Sequence, residues 1–192
     1  KKKQIRFSLN MLGQHNVLNA TAAIAVSLKI GIKIPVIQKA LETYGGVQRR
    51  FTQIYNYNGV KIFDDYAHHP REIEATLEIA KKISKGKILV IFQPHRFSRT
   101  EFLYTDFINV LKKIDILFLT DIYAAGEKKI TGLDKKFYEN LKKKSKKIVI
   151  KVSKEEKLFE IMNSYLKKNN LIIFMGAGTI TNWAKNFISK IR

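Results

Sequence analysis

The sequence predicts an α/β fold: a mostly parallel sheet with helices on both faces, preceded by a helical segment. Two observations carry this. Apolar runs at Ile88–Phe92, Ile116–Leu119, 148–152 and 171–174 show no polar alternation, as expected of strands covered on both sides. Between them lie helical patterns of about 10 to 14 residues, the length that crossovers between parallel strands require.

The elements follow in order. Residues 4–9 read as a short strand. Residues 18–28 are rich in Ala and Leu at helical spacing, and Gly31 follows as a stop signal. Pro35 opens a second helix that runs to about Tyr44, where Gly45-Gly46 breaks it. Runs at 51–57 and 60–64 flank Asn58-Gly59, a strong hairpin signal. Helices are expected at 70–83, 100–113, 134–144, 155–167 and after the last apolar run. The break at Gly45-Gly46 suggests a boundary, with 1–46 as the tail of a preceding domain and 47–192 as the α/β domain.

Composition narrows the function classes. There are no cysteines among the 192 residues, which excludes a disulfide scaffold and thiolate metal sites. No apolar run approaches the roughly 20 residues of a membrane span, and no signal-type stretch follows Lys1-Lys2-Lys3. No membrane partner is expected, and a cytoplasmic location fits. The net charge of +20 raises a nucleic-acid reading. The basic residues, however, are 29 Lys and only 7 Arg, with the lysines scattered over nearly every segment. Base and phosphate recognition favours the planar fork of Arg, so the charge reads as compositional drift and no nucleic-acid partner is expected.

Ligands of parallel α/β sheets bind beyond the carboxyl ends of the strands. The unusual residues of this chain fall there: Asp64-Asp65-Tyr66-Ala67-His68-His69-Pro70, Gln93-Pro94-His95-Arg96-Phe97-Ser98-Arg99, 121–127, and Gly176-Ala177-Gly178. Four of the seven arginines sit in two clusters, Arg49-Arg50 and Arg96/Arg99. Each cluster has a plainer reading. Asp64-Asp65 can cap the helix at Pro70. His68-His69 can be a metal pair, but adjacent side chains diverge and no third ligand is evident, so no metal site is assigned. Arg96 and Arg99 beside His95 make either an anion site or solvated turn charges. Gly176-Ala177-Gly178 fits close packing as well as phosphate binding. His15, Asn16 and Asn19 can be helix caps; Asn16 and Asn19 lie one turn apart, and an amide matches the edge of adenine.

Taken in order, the segments resemble the Mur ligases. Gly13-Gln14-His15-Asn16-Val17-Leu18-Asn19-Ala20 is similar to the block that closes that family's central ATPase domain. Arg49-Arg50-Phe51 is similar to the opening of its C-terminal domain. The DDYAHHP block at 64–70, the QPHRFSRT block at 93–100, the segment 121–127 and Gly176-Ala177-Gly178 complete the series. The resemblance implies a Rossmann-like C-terminal domain after the tail of a central ATP-binding domain. It implies an ATP-dependent ligase of peptidoglycan synthesis working through an acyl phosphate. The QPHR block with Ala125-Gly126-Glu127 is most like the member that adds L-alanine to UDP-N-acetylmuramate.

By the same resemblance, Asn16 and Asn19 contact adenine, Arg50 reaches the nucleotide phosphates, and Asp65 holds the ribose or the hinge beside it. Tyr66, His68, His95, Arg96 and Arg99 line the amino-acid pocket, with Arg50, His68 and His95 as catalytic candidates. Mg2+ is expected as a cofactor with its ligands in the central domain. No G-x-x-x-x-G-K-[ST] segment occurs in the chain. The expectation is therefore that these 192 residues do not ligate alone and belong to a longer or split enzyme. The alternatives are a murein-peptide ligase of cell-wall recycling, a basic nucleic-acid-binding domain, and a stand-alone small-molecule-binding domain.

Overall fold

A computed structural model describes residues 4–192 and divides into two units, Lys1–Gln48 and Arg49–Arg192. The first holds helices α1 (Gln14–Lys29) and α2 (Ile34–Thr43). Gly31, at φ +85°, turns the chain between them, and Pro35 sits in the first turn of α2, where a missing N–H costs nothing. The strand expected at 4–9 does not form. No other strand lies in this unit among the described residues, and an isolated strand leaves its backbone groups unpaired. Side chains tether the segment instead: Gln38 Nε2 donates to the Arg6 carbonyl at 2.7 Å, and the Asn10 amide donates to the Glu42 carbonyl. Asn16 and Asn19 are not caps. They lie inside α1, whose N-cap is Gly13, and Asn16 Nδ2 donates back to the Leu12 carbonyl at 2.7 Å.

The second unit is a six-stranded sheet in the order β1-β2-β6-β3-β4-β5. The strands are β1 (Thr52–Tyr57), β2 (Val60–Asp65), β3 (Ile88–Phe92), β4 (Ile116–Leu119), β5 (Ile148–Lys151) and β6 (Leu171–Met175). Only β1 runs antiparallel, joined to β2 through Asn58 and Gly59 at φ +47° and +84°. Two consecutive positive φ values are what a tight hairpin turn demands.

The other strands are linked by α3 (Pro70–Ile83), α4 (Phe97–Phe102), α5 (Tyr104–Leu111), α6 (Leu133–Lys144) and α7 (Glu155–Met162), with α8 (Ile180–Ile191) last. Alternate strand residues point to opposite faces. Val90, Leu117 and Ile173 pack on one face with Ile73, Leu77, Phe107 and Phe137. Leu89, Phe118 and Ile172 pack on the other with Leu158, Phe159, Ala184 and Phe187. This is the two-sided α/β sheet expected, and both cores are closed.

Three expectations change in detail. The helix expected at 100–113 is two helices that begin at Phe97 and break at Leu103. α4 buries Phe97 in a small cluster with Ile122 and Leu133, whereas α5 packs on the main core; the break lets each follow its own surface. The helix expected to reach 167 ends at Met162 and tightens into a 3-10 turn, Asn163–Tyr165. Asp64 and Asp65 do not cap α3. They are the last residues of β2, and the N-cap is His69, in a reciprocal capping box with Glu72. No helix among the described residues is long and apolar enough to cross a membrane.

Candidate active site

Parallel strands end on a common edge, and in this unit backbone bonds zip the segments that leave them. Gly176 N donates to the Asp65 carbonyl at 3.0 Å, and Gln93 N donates to the Met175 carbonyl at 3.0 Å. Thr120 N donates to the Phe92 carbonyl at 3.0 Å, and Tyr123 N and Arg96 N exchange bonds with Pro94 and Tyr123 carbonyls at 2.8 Å each. The ends of β2, β3, β4 and β6 therefore form one rim. Close packing holds it. A Cβ on Gly176 would lie 2.7 Å from the Gln93 carbonyl, and one on Gly178 would lie 2.5 Å from Gln93 Oε1. Gln93 also braces the 176–179 loop, donating from Nε2 to Thr179 Oγ1 at 3.0 Å and accepting from Ile180 N at 3.2 Å.

A chain of rings and guanidinium groups crosses the rim. The Arg49 and Arg50 guanidinium carbons stand 4.7 and 5.7 Å from the Tyr66 ring centroid. The Tyr66 and His68 rings are 5.2 Å apart, His68 and His95 are 5.7 Å apart, and Tyr123 stacks on His95 at 5.5 Å. Arg99, half-buried, places Nη1 3.5 Å from His95 Nδ1. Arg96 is exposed and precedes α4 at φ +73°, ψ +134°, a conformation that side chains disfavour. Burial above all, then the charge of His68 when protonated and the guanidinium groups of Arg99 and Arg96, pushes His95 below its ordinary value of 6.5. This surround disfavours the imidazolium form of His95.

The carboxylates divide the labour. Asp65 is buried, and its oxygens accept from Phe51 N (2.8 Å), Ala67 N (2.7 Å) and Thr76 Oγ1 (3.2 Å). Burial raises its pKa despite those bonds. Asp64 faces the opposite side of the sheet. It accepts from Thr181 Oγ1 at 3.1 Å and lies 3.6 Å from Arg49 Nε; burial raises it too, against the pull of Arg49. Arg49 also donates from Nη2 to the Gly176 carbonyl at 2.8 Å, so its side chain is built into the fold while Arg50 remains exposed. Glu127 receives Ser98 N at 3.0 Å and Ser98 Oγ at 2.6 Å, tying the 124–127 turn to α4.

Of the residues singled out from sequence, Arg50, Asp65, Tyr66, His68, His95, Arg96 and Arg99 all belong to this rim. Asn16 and Asn19 lie in the first unit, Asn16 half-buried and Asn19 exposed. His69 turns away to accept from Arg71 N at 3.4 Å, and no group of three His, Cys, Asp or Glu among the described residues is placed to hold a metal ion. Sequence reasoning placed Gln93 and Tyr123 in strand-end segments without giving either a role, and passed over Glu72. Glu72 had a readable signal, because it stands three residues after His69 in the spacing of a capping box. Tyr123 and Gln93 act through neighbours distant in the chain, so their positions were legible but their roles were not.

Residues 49–178 match the family described as Mur ligase, glutamate ligase domain. The UDP-N-acetylmuramate–L-alanine ligase of Bartonella henselae is 44% identical over 177 residues, covering 92% of this chain and 37% of that protein. The enzyme of the same name from Gluconobacter oxydans is 42% identical over 180 residues, covering 93% and 38%. The chain therefore spans under two fifths of the length of these curated relatives. The crystal structure of the UDP-N-acetylmuramate–alanine ligase of Thermotoga maritima superposes with a TM-score of 0.80 at 31% identity, covering 98% of this chain and 40% of that one. A murein peptide ligase from Psychrobacter arcticus shares the fold, with a TM-score of 0.69 at 24% identity, covering 96% and 38%. The chain belongs to the Mur ligase family.

Proposed function

We propose that this chain is the amino-acid-binding part of an ATP-dependent ligase that joins L-alanine to UDP-N-acetylmuramate in cytoplasmic peptidoglycan synthesis. The observation that carries the reading is the rim on which Arg99 and the adjacent Arg96 accompany His95 and the adjoining His68. An amino-acid substrate needs a cation for its carboxylate and a neutral, proton-accepting surround for its nitrogen, and the rim offers both. The names of the relatives support alanine as the amino acid.

In this reading ATP supplies the phosphoryl group that activates the lactyl carboxylate as an acyl phosphate. Arg96 and Arg99 hold the alanine carboxylate, Tyr66 and His68 border its nitrogen, and exposed Arg50 faces the phosphates. Of the two roles open to Asp65, its three internal donors support the hinge rather than the ribose. Residues 1–48 are the end of an ATP-binding domain, with Asn16 and Asn19 toward adenine. No described cluster fits magnesium, whose ligands belong to that domain, and no step here runs through it.

The test is phosphate release by the full-length ligase with ATP, UDP-N-acetylmuramate and either L-alanine or an L-alanyl peptide. Turnover with L-alanine, lost on Arg99→Ala chiefly through a raised KM for alanine, is expected. Turnover with the peptide alone would replace this reading by the recycling ligase. These 192 residues alone are expected to show none.

A further inference from the structure

His68 Nδ1 lies 2.9 Å from the Tyr66 carbonyl oxygen and 3.4 Å from Glu72 Oε2. Both are acceptors, so the imidazole proton belongs on Nδ1, and a neutral ring then leaves Nε2 as a bare lone pair. Nε2 makes no hydrogen bond among the described residues. Glu72 cannot swing away, because Oε2 also accepts the backbone amides of His68 at 3.0 Å and His69 at 3.3 Å, while Oε1 lies 3.7 Å from Arg50 Nη1. A capping box explains the bond to the His69 amide alone. It requires neither the His68 ring nor Arg50.

Against the His68 ring lie the Tyr66 ring at the end of β2, His95 beyond β3 and Glu72 on α3, with Arg99 in contact with His95 and Arg50 in contact with Glu72. Glu72 is the one anion among them. Its carboxyl is held below the usual range, the amides and positive neighbours outweighing its burial. His95 shows the opposite arrangement: its Nδ1 faces the Arg99 guanidinium, a donor, which places its proton on Nε2.

We infer that Glu72 is a positioning residue for His68, holding the Nδ1–H tautomer together with the Tyr66 carbonyl and supplying the counter-charge when Nε2 takes up a proton. The consequence for catalysis rests on the ligase reading above. Alanine arrives as an ammonium and must become an amine to attack. One proton passes from its nitrogen to His68 Nε2, giving an imidazolium beside Glu72. The freed lone pair forms the C–N bond to the acyl carbon, the C–O bond to phosphate breaks with its electron pair leaving on phosphate, and the second nitrogen proton departs with that phosphate.

Two measurements test this separately from the ligase reading. The first is 15N imidazole NMR of this chain, with no substrate. His68 is expected as the Nδ1–H tautomer, its Nδ1 proton moving upfield in Glu72→Gln, where the amide oxygen still serves the cap. An Nε2–H tautomer, or a proton unmoved by the substitution, overturns the inference. The second is the pH profile of kcat/KM in the full-length ligase. Glu72→Gln is expected to lower kcat at least tenfold with KM for alanine within twofold, and to move the acidic limb to lower pH. A limb that stays in place overturns the catalytic consequence even if the NMR result holds. Should Glu72→Gln fail to fold, Glu72→Asp, which keeps the charge and shortens its reach, must weaken the Nδ1 contact in the same spectrum; an unchanged signal there also overturns it.

Discussion

The carbonyl oxygen of Asp65 accepts the amide of Gly176 at 3.0 Å. Residues more than a hundred positions apart thus share one peptide-to-peptide bond at the rim, next in the chain to Tyr66. The stiffness of the rim, and its chemistry, depend on bonds of this kind.

Adjacent arginines are expected to behave differently. Arg49→Ala removes the donor to the Gly176 carbonyl and the partner of buried Asp64, and should cost about 2 kcal/mol in urea denaturation. Arg50→Ala should stay within about 0.5 kcal/mol, as exposed sites do, while raising the KM for ATP in the full-length ligase. Equal losses of stability would refute the division of roles.

Gly176→Ala places a Cβ 2.7 Å from the Gln93 carbonyl at φ +148°. Neither backbone can yield without opening the rim. A destabilisation of about 2 kcal/mol is expected, which lowers the melting temperature by about 4–8 °C for a unit of this size. A melting curve superimposable on the wild type would show that the rim is looser than drawn here.

Strain at Arg96 suggests a trade between stability and binding. At φ +73°, ψ +134° glycine is at ease and arginine is not. Arg96→Gly should raise thermal stability by up to about 1 kcal/mol, the relieved strain exceeding glycine's entropy cost. The same change should weaken alanine binding, measured as KM, at least tenfold. A variant that loses stability as well would place the strain elsewhere.

The depressed His95 has a definite sign in pH titration. Its folded value lies below the ordinary 6.5, so as pH falls through 6.5 the unfolded chain takes the proton first and the fold loses stability. Above that range the contribution is fully present. His95→Gln should flatten the slope of unfolding free energy between pH 6.5 and the depressed value, and the His95 ring signals should titrate below 6.5 in NMR. Normal titration of that ring would show that burial and the flanking guanidinium groups do not disfavour its charged form.

Much of the fold was legible because short-range rules suffice for it. The apolar runs became β3, β4, β5 and β6 with ends within a residue of expectation, and Asn58-Gly59 formed its hairpin. Two of the failures share one cause. The segment 4–9 has strand-like composition but no partner, and 100–113 has helical spacing yet serves two clusters, so contact with distant chain overrode local preference. The candidate residues were legible too, since rare types gather after strands, but their duties were not: Asp64 and Asp65 read as a cap and proved to be internal acceptors on opposite faces.

What the sequence determined alone is the alternation of strands and helices and the identity of the polar groups at the strand ends, because hydrophobic period and turn chemistry are local. The tertiary structure decided which of two adjacent arginines is built into the fold, and it sealed both Asp64 and Asp65 from solvent. Those depend on acceptors and donors brought in by distant segments, such as Gly176 for Arg49, Thr181 for Asp64 and Phe51 for Asp65, within hydrogen-bond reach only after the sheet has closed.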